Sequence, residues 1–449
     1  MANSKLVIEG GRRLSGEITI SGSKNAALPL MTAALLTGKP VNLSNVPNIS
    51  DVQIMKSLLQ SYGVGVTQMG NNQFRLVAEN PQWEPSDPSL SGKLRASTGI
   101  LGSLLARLGS VVWYKSGGDD ISKGGRGIDF HISGFRKLGA TVEETDAYIR
   151  AYVPSGRRLQ GARIYLPKVS VGATQNIMMA ACAATGTTVI ENASIEPETM
   201  DLVELLKKIG AGINVDKPNR KITIQGKPVA QFSAPQGRNR QGIDHTVIPD
   251  RIEAATYAIA AIITRGTIKL KMNVSDQMIM SLLEAEFWRI LAAGAAEIRR
   301  TEFGLEVRSQ QGSLIEPVSV RTNPYPGFPT DLHPQWAALM CFSSGQCWIE
   351  ENVFDDRFKY VGQLQRMGAA IQHDGRKTVH ITGNATLRDR RDLIYVEATD
   401  IRAGAALILA ALARKGVTEI YNVSHLNRGY ENFLGKFTSC GAAMMLQEY

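Results

Sequence analysis

The chain has 449 residues, 43% hydrophobic and 20% charged, the balance of an ordinary globular protein of two or three domains with ample material for a large core. No apolar run is long enough to span a bilayer and the strand-like LVIEG near the start follows no secretory h-region, so no membrane partner is expected and the cytoplasm is the expected location. The formal charge of +9 suits an anionic partner, yet aromatics are only 6% and no stretch interleaves them with Lys and Arg as a single-strand platform would, so a phosphorylated small molecule is favoured over nucleic acid.

In chain order, a small-residue apolar segment recurs six times, each copy ending in glycine: KNAALPLMTAALLTG to Gly38, RASTGILGSLLARLG to Gly109, ATQNIMMAACAATG to Gly186, RIEAATYAIAAIITRG to Gly266, DLHPQWAALMCFSSG to Gly345 and IRAGAALILAALARKG to Gly416. The period is roughly 70 to 80 residues. Each copy predicts a helix with a glycine C-cap, apolar nearly all round and therefore buried on every side. A short β-branched run follows each glycine (VNL, VVWY, TTVIE, TIKLK, CWIE, VTEIY). In most copies an amphipathic helix comes next, such as DVQIMKSLLQSYG with Val52, Met55, Leu59 and Tyr62 on one face, and ends at a second glycine: Gly63, Gly139, Gly210, Gly294, Gly368 or Gly441. Six such units predict an α/β protein with Ala-rich helices inside and sheets outside.

Lys24, Arg95, Arg251, Asp331 and Arg402 stand at or beside the starts of buried helices. Free backbone N–H groups and the positive dipole end make such starts anion sites, and added Lys and Arg strengthen them. The four cysteines, Cys182, Cys341, Cys347 and Cys440, lie singly with no C-x-x-C spacing or histidine cluster, which predicts buried reduced thiols and no metal site. Between Trp113 and Phe135 runs WYKSGGDDISKGGRGIDFHISGF, an acid pair in a glycine-rich basic loop. It lacks the G-x-x-x-x-G-K-[ST] pattern of a P-loop and reads as a lid.

The stretches GSKNAALP, LRAS, GIDFHISGF, KVSVGAT, IPDRIE, FPTD, VFDDRF, ATDIRA and NRGYE occur in this order along the whole chain. Together they resemble the enolpyruvyl transferase family. The resemblance implies a two-domain fold of six helix/sheet repeats, an inside-out α/β barrel with three repeats per domain: residues 22–248, carrying the loop 115–126, and residues 1–21 with 249–449. It implies transfer of the enolpyruvyl group of phosphoenolpyruvate to the 3-hydroxyl of UDP-N-acetylglucosamine with release of phosphate, the first committed step of peptidoglycan precursor synthesis, without a cofactor. Shikimate-pathway members fit less well, because their serine-lysine-serine opening is here Ser23-Lys24-Asn25.

Residue by residue, the resemblance places Lys24, Arg126, Arg402 and Arg428 around phosphoenolpyruvate. It sets Asn25, Arg95, Arg126, Gly127, Ile128, Asp129, Phe130, Lys168, Ser170, Val171 and Val353 against the UDP-sugar, with Asp331 as the base at the sugar hydroxyl. Most members carry a cysteine after the paired glycine where this chain has Asp119. Asp119 is therefore the expected general acid and Asp120 its alternate. Asp51, Glu196, Glu198 and Asp250 read as caps and dipole partners. His131 and His425 read as satisfied polar residues. Gly127 stands where a proline is common and Asn427 where an aspartate is usual, changes that leave open a paralogue acting on another nucleotide. A basic nucleic-acid-binding protein is the alternative from a different class.

Overall fold

The computed structural model describes residues 4–115, 127–154, 157–232, 242–272, 274–294, 296–310, 314–355 and 357–448. Backbone contacts divide the chain into two compact units, Gly22–Ile248 and Met1–Ser21 with Pro249–Tyr449. Each is built around three helices that follow from the Ala-rich segments.

In the Gly22–Ile248 unit these are Lys24–Ala33, Gly99–Leu108 and Val171–Ala181, and every residue from Ala26 to Ala33, Ile100 to Ala106 and Ala173 to Ala181 is buried. Alanine and glycine let them approach closely. A Cβ on Gly102 would stand 2.2 Å from the Asn176 carbonyl oxygen, so only glycine allows this crossing. The other unit repeats the plan with Arg251–Ile263, His333–Met340 and Ile401–Ala413, where every residue from Ile252 to Ile263 and from Arg402 to Ala413 is buried.

Three sheets flank the helices in each unit, and alternating burial along their strands shows one face turned to the core and one to solvent. The module is constant. A parallel pair is followed by an antiparallel hairpin, as in Ile243–Thr246 beside Val41–Ser44 and then Gln73–Val77 and Gly65–Gly70. Among the described residues five sheets have four strands; the one containing Ser110–Tyr114 has three, all antiparallel. The N-terminal strand Ser4–Gly10 pairs with Gly416–Tyr421 and Ala443–Glu448. The six sheets are open and none closes into a barrel, so the expected arrangement holds as helices enclosed by separate sheets.

The glycine caps need correction. Gly109 does cap its buried helix in the left-handed conformation, at φ 72°. The Arg251–Ile263 helix instead ends at Thr264, with Arg265 taking the left-handed turn at φ 56°, and the Ile401–Ala413 helix ends in extended backbone at Arg414. The amphipathic helices follow the expectation better: the Pro197–Ile209 helix ends on Gly210 at φ 116°. All four cysteines are free and buried, and burial pushes the Cys182 thiol up to about 12. No helix among the described residues is long and apolar enough to cross a membrane.

Candidate active site

In the Gly22–Ile248 unit, Lys24 opens its buried helix and its Nζ lies 2.6 Å from the Asp51 carboxylate, whose side chain is 1% exposed. Asp51 itself sits in the first turn of Ser50–Ser61, so two helix starts meet at this pair. Asp51, read from sequence as a cap, is the counter-ion of Lys24.

A second group forms around Asn176, a polar residue 1% exposed in an otherwise apolar helix. Its Oδ1 accepts from the Gly102 N–H at 2.6 Å, and its Nδ2 donates to the Thr98 carbonyl at 2.7 Å. The same Nδ2 lies 2.8 Å from His131 Nδ1. One amide thus joins the turn Arg95–Thr98, the helix Asp129–Lys137 and the helix Val171–Ala181. Burial, with the nearby positive charge of Arg95, pulls the His131 imidazole down to about 4. At neutral pH it is an uncharged structural partner, as expected. Ser170 caps the Val171–Ala181 helix, its Oγ accepting from the Ala173 N–H at 3.3 Å, and Val171 remains 37% exposed. Arg95 and Lys168 are exposed at neighbouring helix starts, while Ile128 is buried at the start of Asp129–Lys137, beside half-buried Gly127 and Phe130 and exposed Asp129. Asp119, Asp120 and Arg126 lie outside the described residues.

In the other unit Asp331 lies between two arginines. Its Oδ1 accepts from Arg357 Nη2 at 2.6 Å and its Oδ2 from Arg402 Nη2 at 2.9 Å. The carboxylate does not cap the following helix, His333–Met340, so the capping alternative for this residue falls. Burial alone would raise the Asp331 pKa, but the charges of Arg402 and Arg357 outweigh it and hold the group well below the usual carboxylate range. Arg402, in the first turn of Ile401–Ala413, also donates to the Tyr430 hydroxyl at 3.2 Å and lies over its ring at 5.5 Å. Tyr430 in turn meets Thr256 Oγ1 at 3.0 Å and Gln335 Nε2 at 3.2 Å, so the starts of all three buried helices share one hydroxyl.

Behind Asp331, the buried Glu351 accepts from Thr330 Oγ1 at 2.7 Å and from the Val353 and Phe354 N–H groups at 2.8 and 3.0 Å. It ties the FPTD turn to the VFDDRF loop. Arg357 Nη1 donates to Thr330 Oγ1 at 2.7 Å, closing the chain. Burial, followed by the charges of Arg357 and His373, pulls the buried His333 down to about 3, so it adds no charge. Arg428 ends the turn Val423–Arg428, whose Leu426 packs against Gly404 of the Arg402 helix. Asp250 is a cap as expected, accepting from the Ile252 and Glu253 N–H groups at 2.8 and 3.0 Å.

Sequence reasoning missed Arg357, Glu351, Tyr430, Gln335 and Asn176. Arg357 and Tyr430 lie inside the VFDDRF and NRGYE stretches already singled out. Asn176 and Gln335 carried a weaker signal: each is a lone amide within an apolar helical run. No group of histidine, cysteine or acidic residues able to hold a metal occurs among the described residues.

The family profile of EPSP synthase (3-phosphoshikimate 1-carboxyvinyltransferase) matches residues 8–437. The chain is 40% identical over 429 residues to the UDP-N-acetylglucosamine 1-carboxyvinyltransferase of Finegoldia magna, covering 96% of this chain and 95% of that one. It is 42% identical over 451 residues to the protein of the same name from Xanthobacter autotrophicus, covering 98% of each. The crystal structure of the enolpyruvyl transferase NikO from Streptomyces tendae matches over 100% of both chains with a TM-score of 0.87 at 23% identity, which shows a shared fold. With the profile spanning nearly its full length and curated relatives matching it end to end, the chain belongs to the EPSP synthase family.

Proposed function

We propose that the protein is a UDP-N-acetylglucosamine 1-carboxyvinyltransferase, moving the enolpyruvyl group of phosphoenolpyruvate onto the 3-hydroxyl of the UDP-sugar and releasing phosphate. The observation that carries this reading is the Arg357–Asp331–Arg402 chain, a carboxylate bonded at 2.6 and 2.9 Å to two arginines at a buried helix start. A guanidinium fork suits the carboxylate and phosphate of phosphoenolpyruvate. As that anion draws on Arg402, Asp331 loses part of the charge that depresses its pKa and gains basicity towards the sugar hydroxyl.

Lys24 and Arg428 complete the cationic set on this reading, with Arg126 assigned beside them. Asn25, Arg95, Ile128, Ser170, Val171 and Val353 hold the UDP-sugar. Asp119 protonates the methylene carbon; an aspartate in water ionises near about 3.9, so its carboxyl must take up a proton in the liganded state. The activity belongs to peptidoglycan precursor synthesis in the cytoplasm, where both substrates are made.

The test is phosphate release from phosphoenolpyruvate with UDP-N-acetylglucosamine, UMP or shikimate 3-phosphate as acceptor. Turnover is expected with the UDP-sugar. Turnover only with UMP or shikimate 3-phosphate would overturn the assigned acceptor. Asp119→Asn should lose most activity while Asp120→Asn keeps much more; the reverse order would move the proton to Asp120.

A further inference from the structure

The ends of the same buried helices opposite Arg402 carry a second concentration of charge. Arg251–Ile263 and Ile401–Ala413 each have 13 residues, which puts their C-termini roughly 18 Å from their N-termini. A recess of about 200 Å³ opens there, lined by Arg12, Arg13, Arg265, Arg388 and Lys415 with Asp389 as the one acid.

Cations near helix C-termini ordinarily serve the last carbonyls, and part of this group does so. Arg388 Nη1 donates to the Ile263 carbonyl, and Lys415 pairs with Asp389 at 2.7 Å. The rest exceeds that need. Arg13 and Arg265 have no carboxylate within ion-pair distance among the described residues, and Arg12 has only a 3.3 Å pair with Glu9 in which both side chains are more than half exposed. Arg388 Nε is buried without a hydrogen-bond partner among the described residues. Burial and the neighbouring charge of Arg265 pull the Arg388 guanidinium down to about 10. Arg265 stands in the recess wall at φ 56°, a left-handed backbone that an unbranched glycine would adopt without strain. Mutual repulsion, an unmet buried donor and an unfavourable backbone would all be compensated by one ligand of the opposite charge.

We infer that this recess binds a small phosphoryl anion, of the class of inorganic phosphate or diphosphate, independently of the Lys24 and Arg402 groups. Its volume, below the range of drug-sized pockets, suits one or two phosphoryl groups, and guanidinium forks match their geometry.

Calorimetric titration of the full chain with inorganic diphosphate at low salt tests this, beside the Arg13→Ala/Arg265→Ala double variant. Wild type should show a binding event that the double variant weakens at least tenfold, while the KM for phosphoenolpyruvate stays unchanged. Crystals soaked in tungstate should show anomalous density at Arg13 and Arg265. Equal diphosphate binding by both proteins, or tungstate only at Lys24 and Arg402, overturns the proposal. A duplex DNA that binds through Arg13 and Arg265 when diphosphate does not would also overturn it, in favour of a polymeric anion.

Discussion

In the Gly22–Ile248 unit the charge at the buried helix starts is the Lys24–Asp51 pair, and the tie between neighbouring starts is the neutral amide of Asn176. In the other unit the charges and the ties are the same atoms: Asp331 joins Arg357 to Arg402, and Arg402 joins Tyr430, Thr256 and Gln335. One scaffold therefore carries two designs. Where charge and support are separate, a substitution can remove one and leave the other. Where they coincide, removing a catalytic charge also disturbs the frame.

The largest expected effect is on turnover. Arg402→Ala should lower kcat/KM about a thousandfold, the scale for a charge-assisted bond acting in a partly desolvated site. Asp331 keeps Arg357 in this variant, so the protein should stay folded. Steady-state phosphate release together with a thermal melt checks both statements. Near-normal kinetics would remove Arg402 from the site.

Asp331→Asn should be the costliest single change for stability, at about 3 to 5 kcal/mol, because Arg402 and Arg357, whose side chains are 7% and 11% exposed, would lose their shared anion. Its pH signature follows from the depressed pKa. The stabilisation is present above the unfolded carboxylate value near about 3.9 and is lost only as pH falls through the still lower folded value. Denaturant midpoints of wild type and variant should therefore differ by a constant amount from pH 5 to 8 and converge only in strong acid. A gap that changes steeply between pH 6 and 8 would contradict the ion-pair account.

The repeats were legible because burial imposes a pattern. Helices enclosed on all sides must be apolar throughout, and six Ala-rich runs announced six such helices. Charged residues at their starts were legible for the same reason, since nothing else in those segments is polar. The ties were not. Arg357 reaches Asp331 across 26 positions and Tyr430 reaches Thr256 across 174, and no local periodicity marks such a pairing. The buried-helix glycines misled in a related way. At Gly266 a Cβ would stand 2.0 Å from the Leu14 carbonyl oxygen, so that glycine answers to a long-range approach of backbone and not to the end of its own helix.

Asn176→Ala probes the neutral tie. It removes the bonds to the Gly102 N–H and Thr98 carbonyl in a fully buried place and should cost roughly 1 to 3 kcal/mol. The variant should raise the KM for the UDP-sugar more than it lowers kcat, because Arg95 and Ser170 lie on the segments it joins. Unchanged stability would show that the three helix starts hold together without it.

The smallest effect is a slope, and it tests the comparison at a different pair of residues. The chain leaves one unit for the other after Ser21 and after Ile248, and each of these residues is held by a buried acid of its own unit. Asp201 accepts from the Ile248 N–H at 3.3 Å and meets His245 at 2.9 Å; Glu253 accepts from the Ser21 N–H at 2.7 Å and from Lys436 at 2.6 Å. Burial raises Glu253 to about 7 against the pull of Lys436, with Asp250 adding to the rise. A folded pKa above the unfolded one means that the native state binds the extra proton. The stabilisation is then complete below the unfolded value near about 4.3 and is lost as pH rises through 7, at no more than about 1.4 kcal/mol per pH unit. Urea unfolding at pH 5, 6, 7 and 8 should show wild type losing stability relative to Glu253→Gln across this range. If the two proteins run parallel, Glu253 is ionised throughout, and the Lys436 pair governs Ser21 as the Arg402 pair governs Asp331.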